Sequence, residues 1–412
     1  MDIGAVMNTM RDPAGVPAHP VVFQVLMVIT WVAHIAFVHL ALGSAGLAIF
    51  AFHRRGADKA TGAYWERLSM AMTKVAKVSV SLLIVLGVAP LLFTQVIYDP
   101  QWYTSNVLSG RWAIAFIFTL IVAYCCWFAF YHANHEGAKK HVGFYAWVAF
   151  GLFCLDGLIM HALSYQALLP EQWMNWYAPG GMVDTRGAAL HAIQWPRYVF
   201  IMGLAVPAVG VFLLAYAHYF AGREDREPAY RAFVGALGKR IAQWGYGLAL
   251  VPMLAWQFDF PAGSGLVLHP VGWFIVGALA TMALWMRQLG DDTHGYLPAV
   301  CGFGLLGVLA VWREVIRIHY LRPLGYTVQT YTVHADWPST VLFFATLLGI
   351  GGLVGGFYLT LLYRAGRVRG VYQADRTVSR LGTGAVSVLG VWIAVFFVYG
   401  IAISMHDSFN LN

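Results

Sequence analysis

The sequence predicts an all-α protein, a polytopic bundle of about ten transmembrane helices, and three observations carry that prediction. The chain of 412 residues is 59% hydrophobic and only 11% charged, with a mean hydropathy of +0.64; a soluble enzyme does not have that balance. Its apolar residues fall in runs of the length a bilayer needs, about 20 residues each. These runs lie near 21–52, 76–98, 111–131, 143–168, 192–219, 241–258, 268–287, 296–319, 339–363 and 384–405. The segments between them are too short to fold as soluble units, so 1–412 reads as one integral membrane domain.

Basic residues orient the spans. Arg54, Arg55, Lys59, Arg67, Lys74 and Lys77 lie between the first two, and Arg223, Arg226, Arg231, Lys239 and Arg240 follow the fifth. Arg364, Arg367, Arg369, Arg376 and Arg380 follow the ninth, while the alternate loops hold few basic residues. By the positive-inside rule the basic loops face the cytoplasm. Both termini are then expected outside, on the periplasmic side of a bacterial inner membrane. The segment before the first span has no basic n-region and no small-residue cleavage site, so no removable signal peptide is expected. The pI near 9.2 follows from this topology and is no argument for nucleic acid.

Polar groups inside the spans mark the candidate sites, because ionisable side chains are costly in hydrocarbon and usually serve a function. The first span, VVFQVLMVITWVAHIAFVHLALGSAGLAIFAF, carries His34 and His39. Five residues is about 140° around a helix, so the two serve different faces; each reads as a haem ligand or as a core histidine bonded to a carbonyl. The fourth span carries Asp156 and His161 in FCLDGLIMHALSY. Proton relay, hydrogen bonding and haem ligation all fit that pair. The aromatic loop after it, PEQWMNWYAPGGM, suits a membrane interface. The eighth span ends in VWREVIRIHYLRP, with Arg313, Glu314, Arg317 and His319. Glu314 and Arg317 share a helical face; Glu314 is read as an iron ligand or as the partner of Arg317, and Arg317 as a propionate partner. His191 and His269 sit where they would cap a pocket, and His132, His135, His141, His218, His294 and His334 read as surface groups.

Cys125, Cys126, Cys154 and Cys301 all fall within spans and behave as small hydrophobes. No C-x-x-C-H, Walker loop or dinucleotide fingerprint occurs, so any haem is held without a covalent bond to the chain.

Three stretches resemble subunit I of the cytochrome bd quinol oxidases: FQVLMVITWVAHIAFVHLALG, LGVAPLLFTQVIYDPQWY and WREVIRIHYLRP. The resemblance puts His34 on that family's haem-ligating histidine, Glu314 on a haem-ligating glutamate and Arg317 on the arginine after it. It also implies departures. The positions of the low-spin haem's histidine and methionine hold Phe200 and Ile275, a core carboxylate is replaced by Gln95, and only FDFPAGSGLVLHP stands where the family has its large quinol-binding loop. Quinol oxidation at that loop and dioxygen reduction are therefore not expected.

What the resemblance implies is an electron-transfer subunit of a respiratory complex, holding one or two b-type haems, with His34 and Glu314 as iron ligands and His39, Arg317, His161 and His319 around the cofactor. Its partners would be a quinone or another membrane subunit on one side and a periplasmic c-type cytochrome or redox enzyme on the other. A haem-free anchoring subunit and a proton channel or transporter are the alternatives. No inverted repeat supports transport.

Overall fold

The computed structural model describes residues 2–56, 61–223, 225, 227–290 and 295–410, so Lys59, Arg226 and His294 lie outside the described residues. The helices run in chain order as α1 (Ile3–Thr9), α2 (Pro20–Arg54), α3 (Gly62–Ile97), α4 (Asp99–Leu108), α5 (Gly110–Ala133), α6 (Gly143–Gln166), α7 (Trp173–Tyr177), α8 (Trp195–Gly203) and α9 (Ala205–Tyr219). There follow α10 (Pro228–Phe258), α11 (Pro270–Gln288), α12 (Leu297–Leu321), α13 (Trp337–Ala345), a π-helical stretch Thr346–Val354, α14 (Gly355–Ala365) and α15 (Arg376–Asn410). Among the described residues there are nine helical segments long and apolar enough to cross a membrane. The fold is an all-α polytopic bundle, as the composition predicts.

Eight of the ten expected spans each fall on one helix and the fifth and ninth on successive helical pieces, and some helices outrun their apolar windows. α3 begins at Gly62, well before residue 76, and carries Glu66, Arg67, Lys74 and Lys77 on its early turns. α10 begins at Pro228 and is the one long helix not counted among the nine. Backbone hydrogen bonds continue through charged residues, whereas a hydropathy window stops at them.

Local chemistry explains where several helices begin and bend. α2 and α11 each start at a His-Pro pair: the imidazole Nδ1 of His19 accepts from Val21 N–H and that of His269 from Val271 N–H, both at 3.3 Å. Proline at the first helical position has no N–H to leave unpaired. The fifth span is broken between α8 and α9, where Pro207 removes a backbone donor from the first turn of α9. His39 of α2 fills this break, its Nε2 2.7 Å from the Ile201 carbonyl.

α2 packs against α3, α6, α9 and α12 and forms the centre of the bundle. Its second half, ALGSAGLA from Ala41, is almost wholly buried. A Cβ at Gly43 would lie 2.2 Å from the Ala205 carbonyl oxygen, so only glycine permits this approach at the broken helix. α13, the π stretch, α14 and α15 stand at the edge, and the membrane-crossing windows of these two spans contribute no buried residue.

The helix ends sort into two groups. At one end Arg55 bonds the Ala138 carbonyl, Lys239 the Leu289 carbonyl, and Arg223 the Gly366 carbonyl at 2.9 Å. This is the basic end. At the opposite, loop-rich end the N-terminal segment folds over α4 and the loop after α12. Arg11 lies over the rings of Tyr326 and Tyr331, 4.4 and 4.2 Å from their centroids, and donates to the Thr327 carbonyl at 2.8 Å. Val16 N–H donates to Thr332 O, and His334 N–H to Val16 O.

Asp99 ties this cap together. It accepts from Asp12 N–H at 2.8 Å and contacts the Tyr331 hydroxyl, which lies 2.8 Å from that of Tyr326, itself 2.8 Å from the Ile97 carbonyl. A proton on Asp99 lets every hydroxyl in this row donate onward, and burial does push the Asp99 carboxyl above the usual carboxylate range. Folded Asp99 thus keeps its proton to higher pH than the unfolded chain does. Between those two pKa values the folded state binds more protons, so the cap loses stability as pH rises through that window. Hydrogen exchange at residues 3–16 is expected to speed up with pH across that range beyond its intrinsic dependence, and Asp99→Asn is expected to remove the excess; an unchanged profile in the variant would refute the assignment.

Candidate functional site

A partly open cavity of about 450 Å³, with exposed Ile84 and Val88 in its lining, lies between α2, α3, α6, α8 and α12, within the range of ligand pockets. Four of the six residues singled out from the sequence line it: His34, His161, Glu314 and Arg317. Asp156, Arg197 and Arg313 line it as well.

His34 enters from α2, and its Nδ1 lies 2.9 Å from the carbonyl of Leu83 on α3. A carbonyl oxygen only accepts, so Nδ1 carries the proton and Nε2 keeps its lone pair. Metal-ligating histidines are typically oriented in this way. Gly87 of α3 makes the arrangement possible, since a Cβ there would stand 2.9 Å from the imidazole Cε1. No side chain larger than hydrogen fits without moving the ring.

Glu314 and Arg317 lie at the loop-rich end of the cavity. The Glu314 carboxylate accepts from Gln24 Nε2 at 2.9 Å, from Arg317 Nη1 at 2.7 Å and from the hydroxyl of Tyr98. The Arg317 guanidinium stacks 4.4 Å from the centroid of the Tyr98 ring, and its Nη1 also approaches the Met27 sulfur at 3.2 Å. Of the two sequence readings, the geometry gives Glu314 the role of Arg317's partner. Gln24 and His34 are ten residues apart on α2, about 15 Å of helix, so Glu314 is well to the loop-rich side of the His34 ring.

Two further arginines face the cavity without a carboxylate. Arg197, buried in the first turn of α8, donates from Nη2 to Ser164 Oγ at 2.9 Å, while its Nε and Nη1 have no partner. Arg313 lies 4.0 Å over the Trp31 ring and its buried Nε is also unpartnered. Neither belongs to an ion pair among the described residues. The cavity therefore carries three guanidinium groups against a single paired glutamate at its loop-rich end. An uncompensated buried cation is strongly unfavourable, and a group with negative charge would complement the site there.

His161 is oriented otherwise than His34: its Nε2 accepts from Gln194 N–H at 3.2 Å, and its ring stacks on Tyr165. The remaining two candidates are elsewhere. His39 is bonded at the α8–α9 break, as described above. His319 turns away from the cavity; its Nδ1 is 2.8 Å from the Val315 carbonyl and its ring meets His269 edge-on at 5.5 Å. His191 stacks on Trp176 and reaches the Leu108 carbonyl at 3.2 Å, closing the aromatic loop over α4.

The place that the resemblance gives to a second haem is packed with side chains. Phe200 and Ile275 are both fully buried in one apolar cluster with Trp256, Phe260 and Trp312. Successive ring centroids from Phe200 through Trp256 and Phe260 to Trp312 are 5.9, 5.9 and 5.7 Å apart. These residues do not fit a haem.

Sequence reasoning passed over Arg197 and gave Arg313 no role. The signal for Arg197 was present in WPRYVFIM, an arginine set in an apolar run just after a helix-starting proline. Tyr98 and Gln24 gave no signal, because their role exists only once α2, α3 and α12 meet.

No protein-family model and no curated protein sequence matches the chain. Among solved structures it is similar to a chain of the bd oxidase from Geobacillus thermodenitrificans, with a TM-score of 0.56 and 13% identity, covering 84% of this chain and 99% of that one. The chain thus has a bd-oxidase-like fold; at this identity the likeness is one of fold and assigns it to no particular subunit.

Removing Glu314 strands Arg317, whose side chain is only 16% exposed. Glu314→Ala is expected to destabilise the protein by about 3–5 kcal/mol, as broken buried pairs do, and Glu314→Gln by less because it still accepts hydrogen bonds. Thermal unfolding in detergent measures both, and equal, negligible shifts would show that the pair does not hold the site.

Proposed function

We propose that the protein is a membrane-embedded electron-transfer subunit of a respiratory complex that holds one b-type haem in this cavity. The observation that carries the reading is the pairing of an imidazole whose free Nε2 is fixed by the Leu83 carbonyl with arginines lacking carboxylate partners. The bd-oxidase-like fold is consistent with it.

On this reading His34 would hold the iron through Nε2, and Leu83 and Gly87 hold its ring in place. Arg197, Arg313 and Arg317 hold propionates at the loop-rich end, and Glu314 with Gln24 and Tyr98 fixes the Arg317 guanidinium. The haem supplies a reversible one-electron couple, and the burial of its pocket and the nearby cations tune the potential. Trp31, Met27 and Leu321 form part of the apolar walls. His39, His161 and His319 act as structural groups.

Electrons would pass between a quinone or a membrane partner and a periplasmic c-type cytochrome or redox enzyme. The basic end would face the cytoplasm of a bacterial inner membrane, placing the haem near the periplasmic face. A haem-free anchoring subunit is the second reading, and the apolar packing at Phe200 and Ile275 is the observation that favours it.

A dithionite-reduced minus oxidised spectrum with a pyridine haemochrome separates the two readings. A b-type α band with about one haem per chain is the expected result; a flat spectrum from folded protein would leave the anchoring role. His34→Ala is expected to abolish the band in a chain that still inserts, and Gly87→Val to weaken or shift it by displacing the ring. Wild-type haem content in His34→Ala would refute the ligand.

A further inference from the structure

We infer that Asp156 is the proton-carrying group of this cavity: its carboxyl is ionised while the site beside His34 is oxidised and takes up one proton when an electron arrives. The inference rests on the haem reading above and deepens it.

Asp156 lines the cavity from α6 and is buried, 5% exposed. It lies ten residues from the loop-rich end of α6, about 15 Å, and His34 lies fourteen residues from the start of α2, about 21 Å. Both therefore lie well inside their spans, and both line the cavity. Asp156 belongs to no ion pair among the described residues, and its Oδ2 is buried without a hydrogen-bond partner. A carboxylate so placed is not stable as a lone anion.

Its other oxygen is equipped for both protonation states. Thr119 Oγ1, on α5, is 2.5 Å from Asp156 Oδ1 and also 2.9 Å from the Ala115 carbonyl oxygen. A hydroxyl has one proton to donate. When Asp156 is ionised, Thr119 donates to it. When Asp156 is protonated, it donates to Thr119, which turns its own proton to Ala115. The carboxyl gains or loses a proton with no rearrangement beyond one rotating hydroxyl.

The other titratable groups facing the cavity are committed elsewhere. On its own helix His161 accepts from Gln194. From α8, Tyr198 donates to the Cys154 carbonyl at 2.8 Å and Arg197 binds Ser164. From α12, Glu314 and Arg317 hold each other and Arg313 lies over Trp31. His34 is fixed by Leu83, and Tyr98 by Glu314. Asp156 is the one carboxyl in the cavity with spare capacity.

The charge balance closes. With propionates neutralising the free arginines and His34 neutral, a bound ferric haem would keep one positive charge, and ionised Asp156 would compensate it. One electron from a quinol or a c-type cytochrome would remove that charge. Asp156 then takes one proton from water, and the pair ends neutral, as it began.

The test is a potentiometric titration of the haem α band in the intact chain across a pH series, with infrared reduced-minus-oxidised spectra. In the wild type the midpoint is expected to fall with pH over part of the range at up to about 59 mV per unit, the value of a tenfold change for one electron. A protonated-carboxyl band should appear on reduction. Asp156→Asn should flatten the slope and remove the band, while Asp156→Glu should retain both with the band displaced. Thr119→Val should move the sloping region to higher pH, because the ionised form loses its donor, and it serves as the test if Asp156→Asn does not accumulate. A pH-independent wild-type midpoint, or an unchanged slope and band in Asp156→Asn, would overturn the inference and leave the haem reading standing. A chain with no α band would overturn both.

Discussion

Positive charge buried in an apolar bundle is the constraint on which the rest of the structure depends. Arg197, Arg313 and Arg317 all reach one cavity, and only Arg317 meets a carboxylate there. Hydrocarbon offers no water to share these charges, so the protein supplies a hydroxyl, a tryptophan face and a tyrosine face instead. Those contacts hold the guanidinium groups but do not neutralise them. The cavity is shaped by this imbalance: negative charge would complement its loop-rich end, and Asp156 lines it as a lone carboxyl.

The bundle is assembled to keep that geometry rigid. α2 supplies Met27, Trp31 and His34 along one stripe of the cavity, and elsewhere buries small residues so that α9 approaches closely at Gly43. The break between α8 and α9 would leave polar backbone in the membrane, and His39 answers it through the Ile201 carbonyl. The two histidines of one helix thus divide the labour: one closes a backbone gap and the other presents a free nitrogen to the cavity. Above them the N-terminal segment, Asp99 and the tyrosines after α12 shut the loop-rich end with a connected row of hydrogen bonds.

A shared fold does not fix which groups a chain binds. Here the region around Phe200 and Ile275 is filled by aromatic rings packed at van der Waals range, which stabilises the bundle through buried area. The cavity, apolar over most of its lining, is bordered from α8 by Arg197 and Ile201, and Ile201 also packs against the apolar cluster. One helix therefore borders an apolar core and a pocket that carries buried charge.

The amino-acid sequence by itself determined the all-α polytopic fold class and the residues whose chemistry is out of place in a membrane. Those features follow from hydropathy and local propensity, which act along the chain. It also placed His34, His161, Glu314 and Arg317 among the candidates, since intramembrane histidines, acids and arginines stand out one at a time. Only the tertiary structure decided which of them meet. His39 and His34 look alike in sequence, and His319 sits two residues from Arg317, yet His39 and His319 face away from the cavity because helix rotation and packing set direction. Arg197 joined the site from a segment with no other polar signal, and Glu314 took Arg317, Gln24 and Tyr98 as partners because three helices cross there. Hydrogen-bond partnership is a property of juxtaposition, and no pattern along one helix encodes which neighbour arrives.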